Sequence, residues 1–336
     1  MSAKEILKVG VIGVGAMGRN HARVYADMPD VTLVGIADKD IEAAGNVARR
    51  QGGQVYEDYR GMLDEQTLDA VTIAVPTVDH LEVALEVISR GIHLLIEKPI
   101  AFSVEEGQII IDAAAVAGVC LMIGHIERFN PAVQALKSCL DNQELGRVFQ
   151  IDARRQGPFP ARVKDVGVVI DLAVHDLDVM RFITGAEVRR LYAETESRIH
   201  SSREDLFSGL VRLDDGIVGT LIVNWLTPTK IRELYVIGEN GMFQVNYLTQ
   251  DLFFYENADA PLEDWPYLNL RGVSEGRMVR TIVAKKEPLR SEQESFLAAV
   301  RGESPISVTG HDGLKALELA QAVVKSGLTN TVVEFK

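Results

Sequence analysis

The sequence predicts two domains of different class: an α/β domain with a parallel sheet over residues 1–124, then a domain with an open, mainly antiparallel sheet over 125–336. Three observations predict this. Strand-like and helix-like segments alternate as far as Gly124, the pattern of a parallel sheet wrapped by helices. Beyond His125 that alternation stops, and two hairpin signals appear, Asp214-Asp215-Gly216 and Glu239-Asn240-Gly241, each between alternating β-rich segments. At 336 residues the chain is also too long for one ordinary core.

In the first domain, Lys8 to Ile12 is a short apolar strand, followed by Gly13-Val14-Gly15-Ala16-Met17-Gly18 and a helix to about Met28. A second strand, Val31 to Ala37, ends at Asp38, twenty residues after the last glycine. Strand, glycine turn, helix, strand and acid at this spacing form a Rossmann dinucleotide-binding start. Gly13 permits the tight turn, Gly15 lets backbone approach a pyrophosphate, and Gly18 lets the helix pack close to the sheet. The helix N-terminus offers N–H groups to the phosphates, from Ala16 and Met17 among others. Asp38 would accept from ribose hydroxyls and repel a 2′-phosphate, which favours NAD over NADP; Lys39 beside it weakens that preference.

Gln54 to Tyr56 is a short strand, and Leu68 to Val75 is a buried run ending in Pro76-Thr77. A helix from about Val78 to Ser89 stops at Gly91, and the strand His93 to Ile96 delivers Glu97-Lys98-Pro99. Ligands of parallel sheets bind beyond the carboxyl ends of the strands. Pro76, Thr77, His80, Glu97 and Lys98 are therefore candidate cofactor-side residues with Gly13 to Gly18, Asp38 and Lys39. Ser103-Val104-Glu105-Glu106 opens the next helix as a capping box, and Val119 to Gly124 closes the sheet.

In the second domain Asn130-Pro131 starts a helix to about Leu140, and Val148 to Arg155 alternates like a strand. Val166 to Thr184 reads as a mostly apolar helix carrying Asp171, His175 and Asp178 on one face. Val188 to Ser197 and Leu206 to Leu213 are strands; helices over Ser291 to Val300 and Gly313 to Ser326 precede a last strand, Thr331 to Phe335. An open sheet face calls for cover, so a homodimer or homotetramer through that face is expected.

Charge and composition narrow the function. With 35 basic and 48 acidic residues the net charge is −13, which argues against nucleic acid or an anionic membrane surface as partner. An anionic small molecule would need a local basic pocket. The stretch from Arg154 to Lys164, with Arg155, Gln156, Phe159 and Arg162, is the candidate, read as a loop before the Asp171/His175 helix. No apolar run reaches the ~20 residues of a membrane span, and the N-terminus shows no signal-peptide core, so the cytoplasm is the expected location. Cys120 and Cys139 read as reduced thiols, and the histidines lack metal-ligand spacing, so no metal is expected.

The glycine turn, Glu97-Lys98-Pro99, Asp171 with His175 and the trailing antiparallel sheet together resemble the glucose-fructose oxidoreductase/inositol dehydrogenase/MocA family over nearly the whole chain. Within it, the segment Gly124-His125-Ile126-Glu127-Arg128-Phe129-Asn130-Pro131 and the segment Asn224-Trp225-Leu226-Thr227-Pro228-Thr229-Lys230 are similar to the branch that oxidises the 3-hydroxyl of nucleotide sugars, UDP-N-acetylglucosamine above all. The resemblance implies a catalytic set of Lys98, Asp171 and His175, NAD as cofactor, a 3-keto sugar as product, and a separate pyridoxal-phosphate aminotransferase to take the ketone onward.

The residues themselves suit that chemistry. Oxidising a secondary alcohol needs a base that titrates near neutrality, and an imidazole does. Asp171, one turn before His175, can orient it; the Lys98 ammonium can stabilise a developing alkoxide. Lys98 and His175 can exchange the role of base. Arg128, Asn130, Gln156, Arg162 and Trp225 are candidate substrate contacts beside Lys98, Asp171 and His175, with core packing an equal reading of Trp225 and a structural role assigned to Asp178. Two other functions stay open: an inositol or free-sugar dehydrogenase, which would not need Arg162 for a diphosphate, and a catalytically silent NAD-binding regulator, which could dispense with Lys98 or His175.

Overall fold

The computed structural model describes residues 6–160, 166–199, 203–258 and 274–335. The chain divides into two compact units, the first comprising Met1–Ile126 with Glu287–Glu318 and the second Glu127–Lys286 with Leu319–Lys336. The first unit thus takes back a segment from the far end of the chain, which a contiguous boundary at Gly124 assigned to the second.

The first unit runs β1 (Leu7–Ile12), α1 (Gly18–Ala26), β2 (Val31–Ala37), α2 (Ile41–Gln51), β3 (Gln54–Tyr56), α3 (Tyr59–Glu65), β4 (Ala70–Ile73), α4 (His80–Ser89), β5 (His93–Glu97), α5 (Val104–Ala117) and β6 (Leu121–Gly124). The six strands lie in the order β3-β2-β1-β4-β5-β6, every pair parallel. The order reverses beside β1, which places the topological switch point at the glycine turn. All four residues of β4 are buried, as expected of a strand covered on both faces. Ser103 caps α5, its side chain accepting from the Glu106 N–H at 3.2 Å.

The second unit contains α6 (Pro131–Asp141), β7 (Val148–Pro158), α7 (Val174–Thr184), β8 (Val188–Glu196), β9 (Leu206–Leu213), β10 (Val218–Asn224), β11 (Leu226–Gly238), β12 (Gly241–Asn246), β13 (Asp251–Ala258) and β14 (Ser274–Thr281). Then follow α8 (Pro288–Val300), in the first unit, and α9 (Gly310–Thr329), which carries the chain back to the second unit and its last strand, β15 (Val333–Glu334). The nine strands form one sheet, β14-β13-β12-β11-β7-β10-β9-β8-β15. It is antiparallel except at its centre, where β7 and β10 pair parallel. Both sequence-marked hairpins form: β9–β10 around Asp214–Gly216 and β11–β12 around Glu239–Gly241.

Two elements differ from the sequence reading. Strand β7 continues to Pro158 because β11 pairs with it there, Leu226 opposite Pro158 and Ile231 opposite Gln156. Residues 156 to 158 are therefore strand, not loop. The helix expected from Val166 begins with a π-helical turn over Val169–Ala173, a widened turn often found at functional sites.

Candidate functional sites in the two units

The glycine turn is built as its spacing requires. Gly13 has φ +85°, and a Cβ there would lie 2.7 Å from the Ala74 backbone. A Cβ on Gly18 would lie 1.8 Å from the Gly13 carbonyl oxygen, so only glycine lets α1 start this close to β1. Around Gly15 there is open space, with nothing within 4 Å of a Cβ. The first turn of α1 carries no acidic residue, and among the described residues no acceptor takes the N–H groups of Gly15, Ala16, Met17 or Gly18. Free N–H groups at a helix N-terminus beside an open glycine form a cradle for phosphate oxygens. Asp38 closes the turn from behind: its carboxylate accepts from Val14 N–H at 2.6 Å and from Asp40 N–H at 2.8 Å. Lys39 is exposed and pairs with Asp79 at 3.4 Å.

At the end of β4, Pro76 leads into a short 3-10 turn, Thr77–Asp79. His80, proposed for the cofactor side, is buried, its ring nitrogens against the carbonyls of Val75 at 3.1 Å, Pro99 at 3.0 Å and Ile100 at 3.3 Å. It ties the end of β4 to the Glu97–Lys98–Pro99 turn, whose last peptide is cis. Burial holds the His80 pKa below the ordinary imidazole value. Glu97 is also buried, one oxygen on His21 at 2.9 Å and the other accepting from Lys98 N–H at 3.2 Å.

In the second unit, Asp171 lies within the π turn and His175 at the second residue of α7, both half-buried. The start of this segment is fixed by Glu204, whose carbonyl accepts from Val168 N–H at 2.9 Å and whose carboxylate accepts from Val169 N–H at 3.3 Å. A carboxylate is favoured there by the helix dipole. The Asp171/His175 segment therefore has a defined anchor on the β8–β9 connection.

Several sequence-nominated substrate residues have structural duties. Arg128 is buried and forks onto Asp178 at 2.7 and 2.6 Å, with its guanidinium over the Phe182 ring. This pairing gives Asp178 the structural role expected of it. Asn130 caps α6 by accepting from Ala132 N–H at 3.1 Å and donates to the Tyr247 carbonyl at 3.1 Å. Trp225 is 2% exposed and packs edge-on to Phe159 at 5.5 Å, which is core packing. Gln156 follows Arg155 on a strand, so its side chain points to the opposite face. Arg162 lies outside the described residues.

The described part of the Arg154–Lys164 stretch carries a buried ion-pair network. Arg155 is 3% exposed, forks onto Asp176 at 2.8 and 3.0 Å and reaches Glu127 at 2.7 Å, with the Tyr247 ring 4.9 Å away. Burial would lower the pKa of Arg155, but the charges of Asp176 and Glu127 outweigh it and hold the guanidinium protonated. Directly opposite Arg155 in the sheet stands Arg232. It is half-buried and bonded to the carbonyls of Gln156 and Ile231. Burial and then the Arg155 charge lower its pKa, while Asp176, Glu127 and Asp171 pull the other way. The Asp171 charge thus acts on Arg232, after those of Asp176 and Glu127. The only sequence signal of Arg232 was a charge at an inward position of a long alternating strand.

Both cysteines are free and half-buried, and burial raises both thiols, Cys139 to about 11, so neither is an activated thiolate. Among the described residues no group of His, Cys, Asp and Glu could hold a metal, and no helix is long and apolar enough to cross a membrane.

A phosphate cradle at the switch point of a β3-β2-β1-β4-β5-β6 sheet, with an acid closing it, defines a dinucleotide-binding protein, and comparison with known proteins specifies the class. Residues 7–125 match the oxidoreductase family with an NAD-binding Rossmann fold, and residues 133–244 match the GFO/IDH/MocA C-terminal domain. The chain belongs to this family of NAD-dependent oxidoreductases. It is 30% identical over 317 residues to UDP-N-acetylglucosamine 3-dehydrogenase of Acidithiobacillus ferrooxidans, covering 94% of this chain and 96% of that one. A solved structure of that enzyme superposes with a TM-score of 0.84 over 95% of this chain and 97% of its own. Inositol 2-dehydrogenase 2 of Saccharopolyspora erythraea is 31% identical over 204 residues, 59% of this chain and 60% of that one. A levoglucosan dehydrogenase solved with NADH shares the fold, with a TM-score of 0.86 at 24% identity over 98% of this chain and 99% of its own.

Proposed function

We propose that this oxidoreductase acts on a CH–OH group of a sugar, oxidising the 3-hydroxyl of UDP-N-acetylglucosamine to the 3-keto sugar. The observation that carries the substrate is the similarity to the Acidithiobacillus enzyme, which runs through both units rather than the cofactor domain alone. Bound NAD would supply the hydride acceptor for the carbinol carbon. The N–H groups of Gly15 to Gly18 would hold its pyrophosphate, and Asp38, already fixed on the turn, would take the ribose hydroxyls.

The remaining work belongs to side chains of this chain. His175 takes the hydroxyl proton, and Asp171 orients its ring and stabilises the imidazolium. Lys98 donates to the reacting oxygen as negative charge develops on it. Arg232, half-buried on β11 and within the field of Asp171, is the guanidinium to which the anionic part of the substrate is assigned. The ketone formed is a substrate for an amino-group transfer in a following step.

Purified protein incubated with NAD and, separately, UDP-N-acetylglucosamine, other UDP-sugars, inositols and free hexoses should form NADH with the first. Reduction with an inositol and none with any UDP-sugar would overturn the substrate assignment in favour of the second reading, which rests on the match to inositol 2-dehydrogenase. Bound NAD with no turnover on any of them would indicate a silent regulator.

A further inference from the structure

Behind the Glu97–Lys98 turn lies a fully buried polar chain that the reaction as described does not use. His21, on α1, is 0% exposed, and so are Glu292 and Gln293, neighbours on α8. The Gln293 side-chain amide nitrogen is 2.8 Å from His21 Nδ1 and 3.2 Å from the His21 carbonyl. An amide nitrogen only donates, so Nδ1 accepts and the imidazole proton sits on Nε2. That proton points at Glu97 Oε1, 2.9 Å away, while Glu97 Oε2 accepts from the Lys98 N–H at 3.2 Å. The sequence of donors is continuous: α8 to α1, α1 to the end of β5, and the backbone of Lys98 onto the same carboxylate.

We propose that His21 and Gln293 are positioning residues, which lock the Glu97 side chain and through it the backbone from which Lys98 projects. The inference rests on the reading that Lys98 acts on the substrate hydroxyl. An apolar core would fill this space without a tautomer to set. Instead α8 is brought back from the far end of the chain and contributes two polar residues at full burial. Glu292 marks the cost: none of its carboxylate oxygens has a hydrogen-bond partner among the described residues, and burial, then the negative charge of Glu97, hold it protonated. Burial would raise the Glu97 pKa, but the hydrogen bond from His21, then the charge and N–H of Lys98, hold it below the ordinary carboxyl value. The titratable groups facing Glu97 are His21 from α1, Glu292 from α8, His80 from α4 and Lys98 beside it.

The test compares Gln293→Leu, His21→Leu and His21→Gln with Lys98→Ala, in the full-length protein with NAD and the sugar it turns over. Without the His21 donor, protonation of Glu97 moves to higher pH, so the acid limb of kcat should shift upward. Displacement of Lys98 should lower kcat by about 10–100-fold with NAD affinity unchanged. His21→Gln offers one amide donor and one acceptor and should restore most of the rate. The nitrogen NMR shifts of His21 should report the Nε2–H tautomer in the parent and a displaced Nδ1 shift in Gln293→Leu, where that nitrogen loses its donor. Folded His21→Leu or Gln293→Leu with parental kcat and pH profile, while Lys98→Ala is inactive, would overturn the positioning role; should His21→Leu fail to fold, Gln293→Leu decides. Parental activity in Lys98→Ala, with the tautomer as expected, would overturn the reading of Lys98 and the positioning consequence with it, leaving the hydrogen-bonded chain as structure alone.

Discussion

The two units hold their functional groups by different physical means. In the first unit, the cofactor turn is a matter of backbone: Gly13 and Gly18 tolerate contacts that no Cβ could make, and the N–H groups of Gly15 to Gly18 stand open. In the second unit, the segment bearing Asp171 and His175 is flanked by buried ion pairs, Arg128 with Asp178 and Arg155 with Asp176 and Glu127. A backbone cradle is specified by a few adjacent residues and is rigid once the strand and helix form. A buried charge network depends on residues far apart in sequence, and it fails as a unit if one partner is removed. The first arrangement suits a ligand common to many reactions, the second a site that must be particular to one.

That contrast can be broken or sharpened by substitution. The largest expected effect is on chemistry alone. His175→Ala should lower turnover by about 10²–10⁴-fold, with unchanged thermal stability, measured as NADH formation beside a melting curve. Arg155→Leu leaves the buried Asp176 and the half-buried Glu127 without their guanidinium and should cost about 3–5 kcal/mol of stability, read by denaturant unfolding of the whole chain. A loss under about 1 kcal/mol would mean that the network is solvated. In the first unit, Glu292→Gln should stabilise. The Glu292 pKa is raised on folding, so stability falls as pH rises from the ordinary carboxyl range upward, and a neutral amide removes that dependence. Melting curves across pH should therefore diverge from the parent with increasing pH; parallel curves would refute the buried protonated acid. The smallest effect belongs to Asn130→Ala, the cap of α6, at about 1 kcal/mol, with turnover per folded molecule unchanged.

How much of this was legible in the sequence follows the same division. The Gly13 to Gly18 turn and Asp38 could be read directly, because each constraint acts within one strand-turn-helix unit. The hairpins at Asp214–Gly216 and Glu239–Gly241 were equally local. The structural pairings of Arg128 and Arg155 are not legible in the sequence, since nothing in their neighbourhood reveals Asp178, 50 residues on from Arg128, or Asp176, 21 residues on from Arg155. Strand β7 was cut short at Arg155 because the pairing that extends it comes from β11. Glu292 and Gln293 left a trace that went unread: they lie three to four residues from Leu289 and Phe296, on the buried stripe of α8. Polar residues on such a stripe signal a buried network, though not its partners.

The central claim is that the first unit binds the cofactor through its backbone turn while the Asp171/His175 segment serves only the substrate. The most direct measurement is a titration of NAD against the parent, Gly15→Ala and His175→Ala proteins. A Cβ at Gly15 meets no protein atom within 4 Å, so it should leave the fold intact yet fill the cradle, weakening NAD binding by about tenfold or more, roughly 1.4 kcal/mol. His175→Ala should bind NAD as the parent does. Unchanged affinity in Gly15→Ala, or a comparable loss in His175→Ala, would contradict the division of labour between the two units.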